Sequence, residues 1–398
     1  MKFLAYLICY CIYPFSFLFP RNRKKWAFGS FRGAFNDNAK YFFLHVSEKE
    51  KMVDSAWLSV NKATVKAVRA LGLKAFNVLS PQGIWFALTS KYWFYNAYSS
   101  DILFCLSGNA VRMNLWHGLP MKRIEFDIDS GPLADRFVKK TFKERYFHPE
   151  TFQRPDYVLS STGFFSEIFA RSFRISVKHC LEFGYPRNEI LMWPERDRVD
   201  FIQRYEPVVT QQLIAQLQQG GYSRVFIYLP TWRESQLDLF AQHFDLDRLE
   251  ALMKKQNALL LLKPHANTSV DPSIVKHLSH VVLLPAAMDI YPVLPYTDVL
   301  ITDYSSVLFD YALMPNKGVI LYLYDYEEYK KDRNFTHPLD ELVVGKQVFD
   351  FEALLSAVEE ATMLDEYERV AYVEKCWGLN ASHASAQLSA FFSKPLLT

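Results

Sequence analysis

The sequence predicts two α/β domains facing each other across a cleft, each built on a parallel sheet wrapped by helices. Three observations lead there. The 398 residues, half of them apolar and 16% aromatic, are too many for one small core and fit two domains of about 100–200 residues each. Short β-rich runs alternate with amphipathic stretches along the chain, the pattern of parallel-sheet α/β domains. A polar, glutamine-rich stretch from Arg204 to Gly221, ending in the doublet Gly220-Gly221, divides these runs into two series.

Residues 1–24 form an apolar segment with a basic end. Phe3 to Phe19 is almost wholly apolar, and Arg21, Asn22, Arg23, Lys24 and Lys25 follow at once. A signal peptide carries its charge ahead of the apolar run, the reverse of this order. Crossing a bilayer takes about 20 apolar residues in a helix, and Pro14 interrupts this stretch. The segment is expected to lie in a membrane interface with its basic run on anionic headgroups. A spanning helix and a buried N-terminal helix are the competing readings.

Residues 25–205 make the first domain. Trp26–Gly29, Ser55–Val60, Ala75–Leu79, Asp101–Cys105, Met113–Trp116, Tyr157–Ser160 and His179–Gly184 read as strands. Asn38–Lys49, Lys62–Leu71, Ala134–Tyr146 and Gly163–Arg171 read as helices. Residues 206–398 make the second. Its strands are the apolar runs Arg224–Leu229, Ala258–Lys263, His280–Leu284, Asp298–Thr302 and Gly318–Tyr322, suited to central positions. Asp247–Gln256, Asp289–Pro295 and Val307–Met314 read as helices or helical turns, and a last helical stretch, about Phe351 to Ser393, has the option of crossing back to the first domain.

Composition narrows the function. The 45 basic residues nearly cancel the 43 acidic ones, so no nucleic-acid partner is expected. The basic run Arg136, Lys139, Lys140, Lys143 and Arg145 reads as a solvated face, or as one resting on anionic lipid or a polyanionic product. Cys9, Cys11, Cys105, Cys180 and Cys376 have no metal-ligand spacing and read as reduced thiols. The two Asp-x-Asp runs fall badly for a metal: Asp127-Ile128-Asp129 lies past a loop, and Asp245-Leu246-Asp247 resembles a helix start. No metal and no cofactor are expected. GxGxxG, GxxxxGK[ST] and GxSxG are all missing, against a dinucleotide enzyme, a P-loop NTPase and an α/β-hydrolase.

Ligands of open parallel sheets bind beyond the carboxyl ends of the strands, and four segments place polar groups there. Asn114-Leu115-Trp116-His117-Gly118 sets a histidine at a strand end, with Gly118 removing bulk beside it. A neutral imidazole there can accept a proton from a hydroxyl near neutral pH; a histidine that merely bonds a backbone carbonyl is the competing reading. Lys263-Pro264-His265 follows four leucines and offers two donors to an anion. Thr302-Asp303-Tyr304-Ser305-Ser306 precedes a helix, where the serines serve either as caps or as part of an anion site. Asp303 would orient a neighbouring donor or bind a polyol hydroxyl. Pro230-Thr231-Trp232-Arg233-Glu234 supplies a hydroxyl and a guanidinium able to hold phosphate through two bonds, unless Arg233 simply pairs with Glu234.

These segments, with Phe28-Gly29-Ser30, Asn36-Asp37-Asn38-Ala39-Lys40-Tyr41, Gly184-Tyr185-Pro186-Arg187-Asn188 and Asp289-Ile290-Tyr291-Pro292, occur in the order found in one family. Over about residues 25 to 335 the chain resembles the CDP-glycerol glycerophosphotransferases, which include teichoic acid primases and polymerases and related capsule enzymes. The resemblance implies a glycosyltransferase-B-like fold of two Rossmann-like domains, with the acceptor on the first and the CDP donor on the second. It also implies peripheral attachment to the cytoplasmic face of the membrane and a lipid-linked or polymeric acceptor. By motif, His117 matches the proposed catalytic base and His265 the second essential histidine, near the donor phosphates. Ser305 and Ser306 match the donor-phosphate loop; Gly118, Pro186, Arg187, Thr231, Arg233, Lys263 and Asp303 complete the expected donor contacts. Two departures stand out: Lys263 replaces a frequent arginine, and Asn334-Phe335-Thr336-His337-Pro338 replaces an aromatic-acidic stretch.

The expected reaction is an attack by an acceptor hydroxyl, deprotonated by His117, on the polyol-bearing phosphorus of CDP-glycerol, releasing CMP. CDP-ribitol as donor, a nucleotide-sugar transferase on the same fold, and a polymer-binding scaffold are the alternatives.

Overall fold

The computed structural model describes residues 2–131, 133–231, 244–264, 272–332, 334–379 and 381–394. The chain forms two compact units, Met1–Glu189 with Cys376–Thr398, and Ile190–Lys375.

The first unit is built on seven strands, β1 (Asn22–Phe28), β2 (Asp54–Ser59), β3 (Ala75–Asn77), β4 (Ser90–Tyr95), β5 (Val111–Asn114), β6 (Tyr157–Ser160) and β7 (Cys180–Glu182). They lie in the order β3-β2-β1-β4-β5-β6-β7, and every pairing is parallel. The order reverses direction between β1 and β4, which opens the crevice where such sheets take ligands. Central strands covered on both faces must be apolar throughout, and here aromatics fill that role. Phe28 of β1 stacks on Phe94 of β4 at 4.9 Å, and Phe42 of helix α2 (Asp37–Lys49) meets both rings edge-on. From the end of the chain, Phe392 packs its ring against Trp26, Tyr92 and Phe94. Short helices start where their caps dictate: α3 (Lys62–Ala70) at Asn61, whose side chain accepts from Ala63 and Thr64 N–H, and α4 (Pro81–Thr89) at Ser80, which accepts from Gly83 N–H.

Several expected elements differ. Asp101–Cys105 is no strand but parts of two 3-10 turns, Ser99–Asp101 and Phe104–Leu106. The aromatic run Ser90–Tyr95 takes the place in the sheet, and the Asp101 carboxylate accepts the N–H groups of Asn96 and Ala97 instead. The helix expected over 134–146 breaks at Lys140, whose φ is +51°, leaving Ala134–Phe137 and Phe142–Phe147.

The second unit holds β8 (Val225–Leu229), β9 (Leu259–Leu262), β10 (Val281–Leu283), β11 (Val299–Thr302), β12 (Gly318–Tyr322) and β13 (Lys346–Val348), in the order β10-β9-β8-β11-β12-β13 and again all parallel. Its reversal lies between β8 and β11, where Thr302 Oγ1 donates to Leu229 O at 2.7 Å. Phe226, Tyr228, Leu260, Leu262 and Ile301 form the core with Leu249 and Met253 from helix Leu246–Gln256.

The first division falls after Glu189, ahead of the expected 205/206, because the polar segment beyond it is helical. Glu195–Tyr205 and Val208–Gln219 bury Phe201, Ile202, Leu213, Ile214 and Leu217. Of the two forms expected at 289–295, turns are found, running into a 3-10 turn at Leu294–Tyr296. The last stretch is three helices, Phe351–Glu360, Glu366–Trp377 and Ala384–Ser393.

Candidate active site

In the first unit the loops after β1, β4 and β5 converge on His117. Positive φ angles at Trp116 (+51°) and Gly118 (+149°) bracket it, so the backbone turns sharply on both sides and presents the imidazole at the surface. The Gly118 angle is one that side-chain-bearing residues rarely adopt. Trp116 backs the imidazole at 4.2 Å between ring centroids and is itself buttressed by Phe173. Asn38 Nδ2 donates to the carbonyls of Leu115 and Trp116, tying the loop to the start of α2.

His117 Nδ1 lies 3.3 Å from the carbonyl oxygen of Asn96. A carbonyl only accepts, so Nδ1 carries the proton and Nε2 keeps its lone pair. Asn96 is fixed in turn. Its Oδ1 accepts Ala39 N–H at 2.9 Å, its Nδ2 donates to Ser30 Oγ at 2.8 Å, and its N–H donates to Asp101. Burial pushes the Asp101 carboxyl up to about 7 against the N–H bonds it accepts. Protein crowded around His117 disfavours its charged form and lowers its pKa; Asp37 and the Asn96 carbonyl pull the other way, while Arg187 adds to the lowering. A neutral imidazole with a free Nε2 is the form a general base requires.

Pro186 and Arg187 lie in a buried 3-10 turn, Pro186–Asn188. Arg187, expected at the donor, is 4% exposed and directs Nη1 to Asp37 Oδ1 at 2.6 Å and to His117 O at 3.0 Å. Its guanidinium serves the histidine loop.

In the second unit Thr231, Lys263, Asp303, Ser305 and Ser306 follow β8, β9 and β11. Asp303 is fully buried; Thr231 donates to it from both N–H, at 2.9 and 3.1 Å, and Oγ1, at 2.5 Å. Of the two roles open to Asp303, orienting a neighbour is the one its surroundings support, since no carboxylate surface faces a polyol. Tyr304 stacks on Tyr329 at 4.0 Å and donates to Asp325, which anchors the serine loop. Ser305 and Ser306 are half-buried, and Ser306 makes no capping bond to the short helix Val307–Tyr311. Lys263 Nζ donates to Ala286 O at 3.2 Å; burial lowers its pKa while Asp289 opposes the shift. His265 and Arg233 lie outside the described residues.

Both Asp-x-Asp runs are otherwise engaged: Asp127 pairs with Arg171, Asp129 with Arg123, and Asp245 caps a helix through Arg248 N–H. Among the described residues, no three His, Cys, Asp or Glu side chains are grouped to hold a metal.

A second surface belongs to helix α1 (Lys2–Ser16). Tyr6, Cys9 and Tyr13 pack onto the first unit, and Tyr10 donates to Arg145 O. Phe3, Leu4, Leu7, Ile8, Ile12 and Phe15 are exposed on the opposite face, and Phe142 beside it is 83% exposed. Arg21 does not join the exposed cations. Its guanidinium donates to the carbonyls of Ala87, Ser90, Leu106 and Gly108, and burial lowers its pKa to about 10. Arg23 and Lys24 are exposed. No described helix is long and apolar enough to cross a membrane.

Asn96, Asp101 and Asp37 are the parts of the site to which sequence reasoning gave no role. The one available signal was the aromatic run ending at Tyr95, which marks a strand end and makes Asn96 the first residue beyond it.

Comparison with known proteins places this geometry in a family. Residues 11–377 match the family described as CDP-Glycerol:Poly(glycerophosphate) glycerophosphotransferase. The teichoic acid poly(glycerol phosphate) polymerase of Bacillus spizizenii is 24% identical over 90% of each chain. The polymerase of the same name from Bacillus subtilis is 27% identical over 87% of this chain but only 45% of its own length. A Staphylococcus aureus teichoic acid ribitol-phosphate polymerase is 27% identical over 64% of this chain and 42% of its own. Among solved structures, the wall teichoic acid polymerase TagF superposes with a TM-score of 0.74 at 22% identity, covering 94% of this chain and 89% of that one. A putative UDP-N-acetylglucosamine 2-epimerase from Listeria monocytogenes shares the glycosyltransferase-B-like architecture more distantly, at a TM-score of 0.53 and 12% identity over 93% of this chain and 96% of the other. Two all-parallel sheets, a histidine loop at the carboxyl end of one and a family match over nearly the whole chain lead to one conclusion: this chain is an enzyme of the CDP-glycerol glycerophosphotransferase family.

Proposed function

We propose that this enzyme transfers glycerol phosphate from CDP-glycerol to a hydroxyl of a lipid-linked or polymeric acceptor at a membrane surface, in the synthesis of a teichoic-acid-like polymer. The observation that carries the reading is His117, its Nδ1 committed to the Asn96 carbonyl and its ring presented at the carboxyl end of the sheet.

His117 Nε2 takes the proton of the acceptor hydroxyl. The oxygen forms a bond to the glycerol-bearing phosphorus, the bond from that phosphorus to the oxygen of CMP breaks, and CMP leaves with the electron pair. Charge growing on the phosphates is met by Lys263, by the Thr231, Ser305 and Ser306 hydroxyls, and, by motif, by Arg233 and His265. Burial strips water from the Lys263 ammonium and thereby lowers its pKa, so an anion reaching it gains more than it would from a surface lysine. The exposed face of α1, with Arg23 and Lys24 beyond its end, suits peripheral attachment to an anionic bilayer.

The test is incubation with CDP-glycerol, CDP-ribitol and a panel of nucleotide sugars, each with a polyol-phosphate primer, following nucleotide release and the phosphodiester product. CMP and a lengthened primer with CDP-glycerol are expected. Turnover confined to CDP-ribitol, the donor class suggested by the ribitol-phosphate relative, or to a nucleotide sugar would replace this reading. His117→Ala should lower kcat by about 10²-fold or more while CDP-glycerol still binds. Near-normal turnover in that variant removes His117 from the role of base.

A further inference from the structure

We infer that Asp37, locked by Arg187 onto the His117 loop, is a positioning residue that stabilises the imidazolium formed when His117 takes the acceptor proton. The inference rests on the reading of His117 as the base and adds a partner for it.

Geometry carries the argument. Asp37 opens α2 with a φ of +60°, a conformation a non-glycine residue adopts at a cost of roughly 1 kcal/mol or more. An ordinary helix start has no need of it. The strained backbone lets Oδ1 accept both Asn38 N–H at 2.8 Å and Arg187 Nη1 at 2.6 Å. The same Nη1 reaches His117 O at 3.0 Å, and Arg187 N–H donates to Asn38 Oδ1 at 3.2 Å. One buried guanidinium therefore joins the carboxylate to the histidine backbone. A pair with one partner buried costs hydration on both sides, so stability alone is a poor reason to build it.

Proton transfer makes the charge useful. Before the reaction Asp37 and Arg187 cancel and the loop is neutral. Once Nε2 is protonated the loop holds two cations, Arg187 and His117, and Asp37 is the anion that balances them. The charged groups whose fields reach the ring are Asp37 from the start of α2 and Arg187 from the turn after β7; Asp101, beneath Asn96, lies within the field of Asp37. Asp37 raises the His117 pKa and Arg187 lowers it. Removing the carboxylate therefore weakens the base and moves its titration down.

The experiment compares pH–rate profiles of the full-length wild type with Asp37→Asn, Asp37→Glu and His117→Ala, using CDP-glycerol and a polyol-phosphate primer. Asp37→Asn keeps the shape and an acceptor for Asn38 N–H but loses the charge. Its kcat should fall about tenfold or more, with KM for CDP-glycerol nearly unchanged. The acidic limb of kcat should move down by about one pH unit, and Asp37→Glu should restore part of both effects. Loss of turnover with the limb unmoved would overturn the proposal and leave a purely structural Asp37. Should Asp37→Asn fail to fold, as judged by circular dichroism, Asp37→Glu alone decides: a limb at the wild-type position with activity retained supports the charge, and an inactive folded Glu variant overturns it. Full activity of His117→Ala would instead sink the base assignment itself.

Discussion

Asp303 exposes no atom to solvent, yet both of its oxygens are used, since Thr231 reaches it from backbone and side chain alike. That bond pattern joins the residues just past β8 and β11 at the switch point of the second sheet. Asp303→Ala leaves the Thr231 hydroxyl and N–H short of a partner, and the loss should be about 2–4 kcal/mol in urea unfolding. An unchanged unfolding midpoint would show the pair to be incidental. At this scale the sequence spoke unevenly. His117 was legible because a histidine and a glycine right after an apolar strand have few structural uses. Asn96 was not, because what it lends the site is a backbone carbonyl, and a carbonyl has no signature in residue type. The partner of Arg187 was hidden for a related reason. A guanidinium suits a phosphate and a carboxylate equally well, and only the fold reveals that Asp37 waits opposite it.

Among the elements, α1 differs most from an ordinary surface helix. Its 15 residues make a rod of about 22 Å, short of the roughly 30 Å hydrocarbon core of a bilayer. One face is fixed to the first unit by tyrosines, while the other shows Leu4, Leu7 and Ile8 to solvent. Leu4→Asp with Leu7→Asp should abolish sedimentation with vesicles containing phosphatidylglycerol and leave Tm nearly unchanged, since neither side chain is buried. Undiminished sedimentation would assign membrane attachment elsewhere. The apolar run announced this helix, but not which half of it faces out, because both halves are apolar and tyrosine suits core and interface alike. Ser90–Tyr95 escaped notice for the opposite reason: it begins where α4 ends, with no turn residue to separate helix from strand. The central second-unit strands were plain because runs such as Leu259–Leu262 are apolar at every position, as strands covered on both faces must be; the edge strand β13 was not, since Lys346 and Gln347 are polar and exposed.

For the molecule as a whole, the defining feature is a first unit assembled from both ends of the chain. Trp377 meets Tyr185 edge-on, Ser385 donates to Glu189 through N–H and hydroxyl, and Phe392 reaches the centre of the sheet. Phe392→Ala should cost about 3–5 kcal/mol and unfold the first unit at lower urea, with the second unit's transition unmoved. A single shifted transition for the entire chain would mean the two units unfold as one. Two parallel sheets could be anticipated from alternating runs, but not the order of their strands, which pairing alone decides; the return of the final helix could not be settled, because Ala384–Ser393 is short and amphipathic in a way that suits either sheet. Its destination has a consequence for biosynthesis. The ribosome delivers Met1–Glu189 ahead of Ile190–Lys375, but the residues that complete the first core emerge only after that second stretch. The later-made half can reach its native state while the earlier-made half still waits, its aromatic face open to chaperones until Cys376–Thr398 have been added.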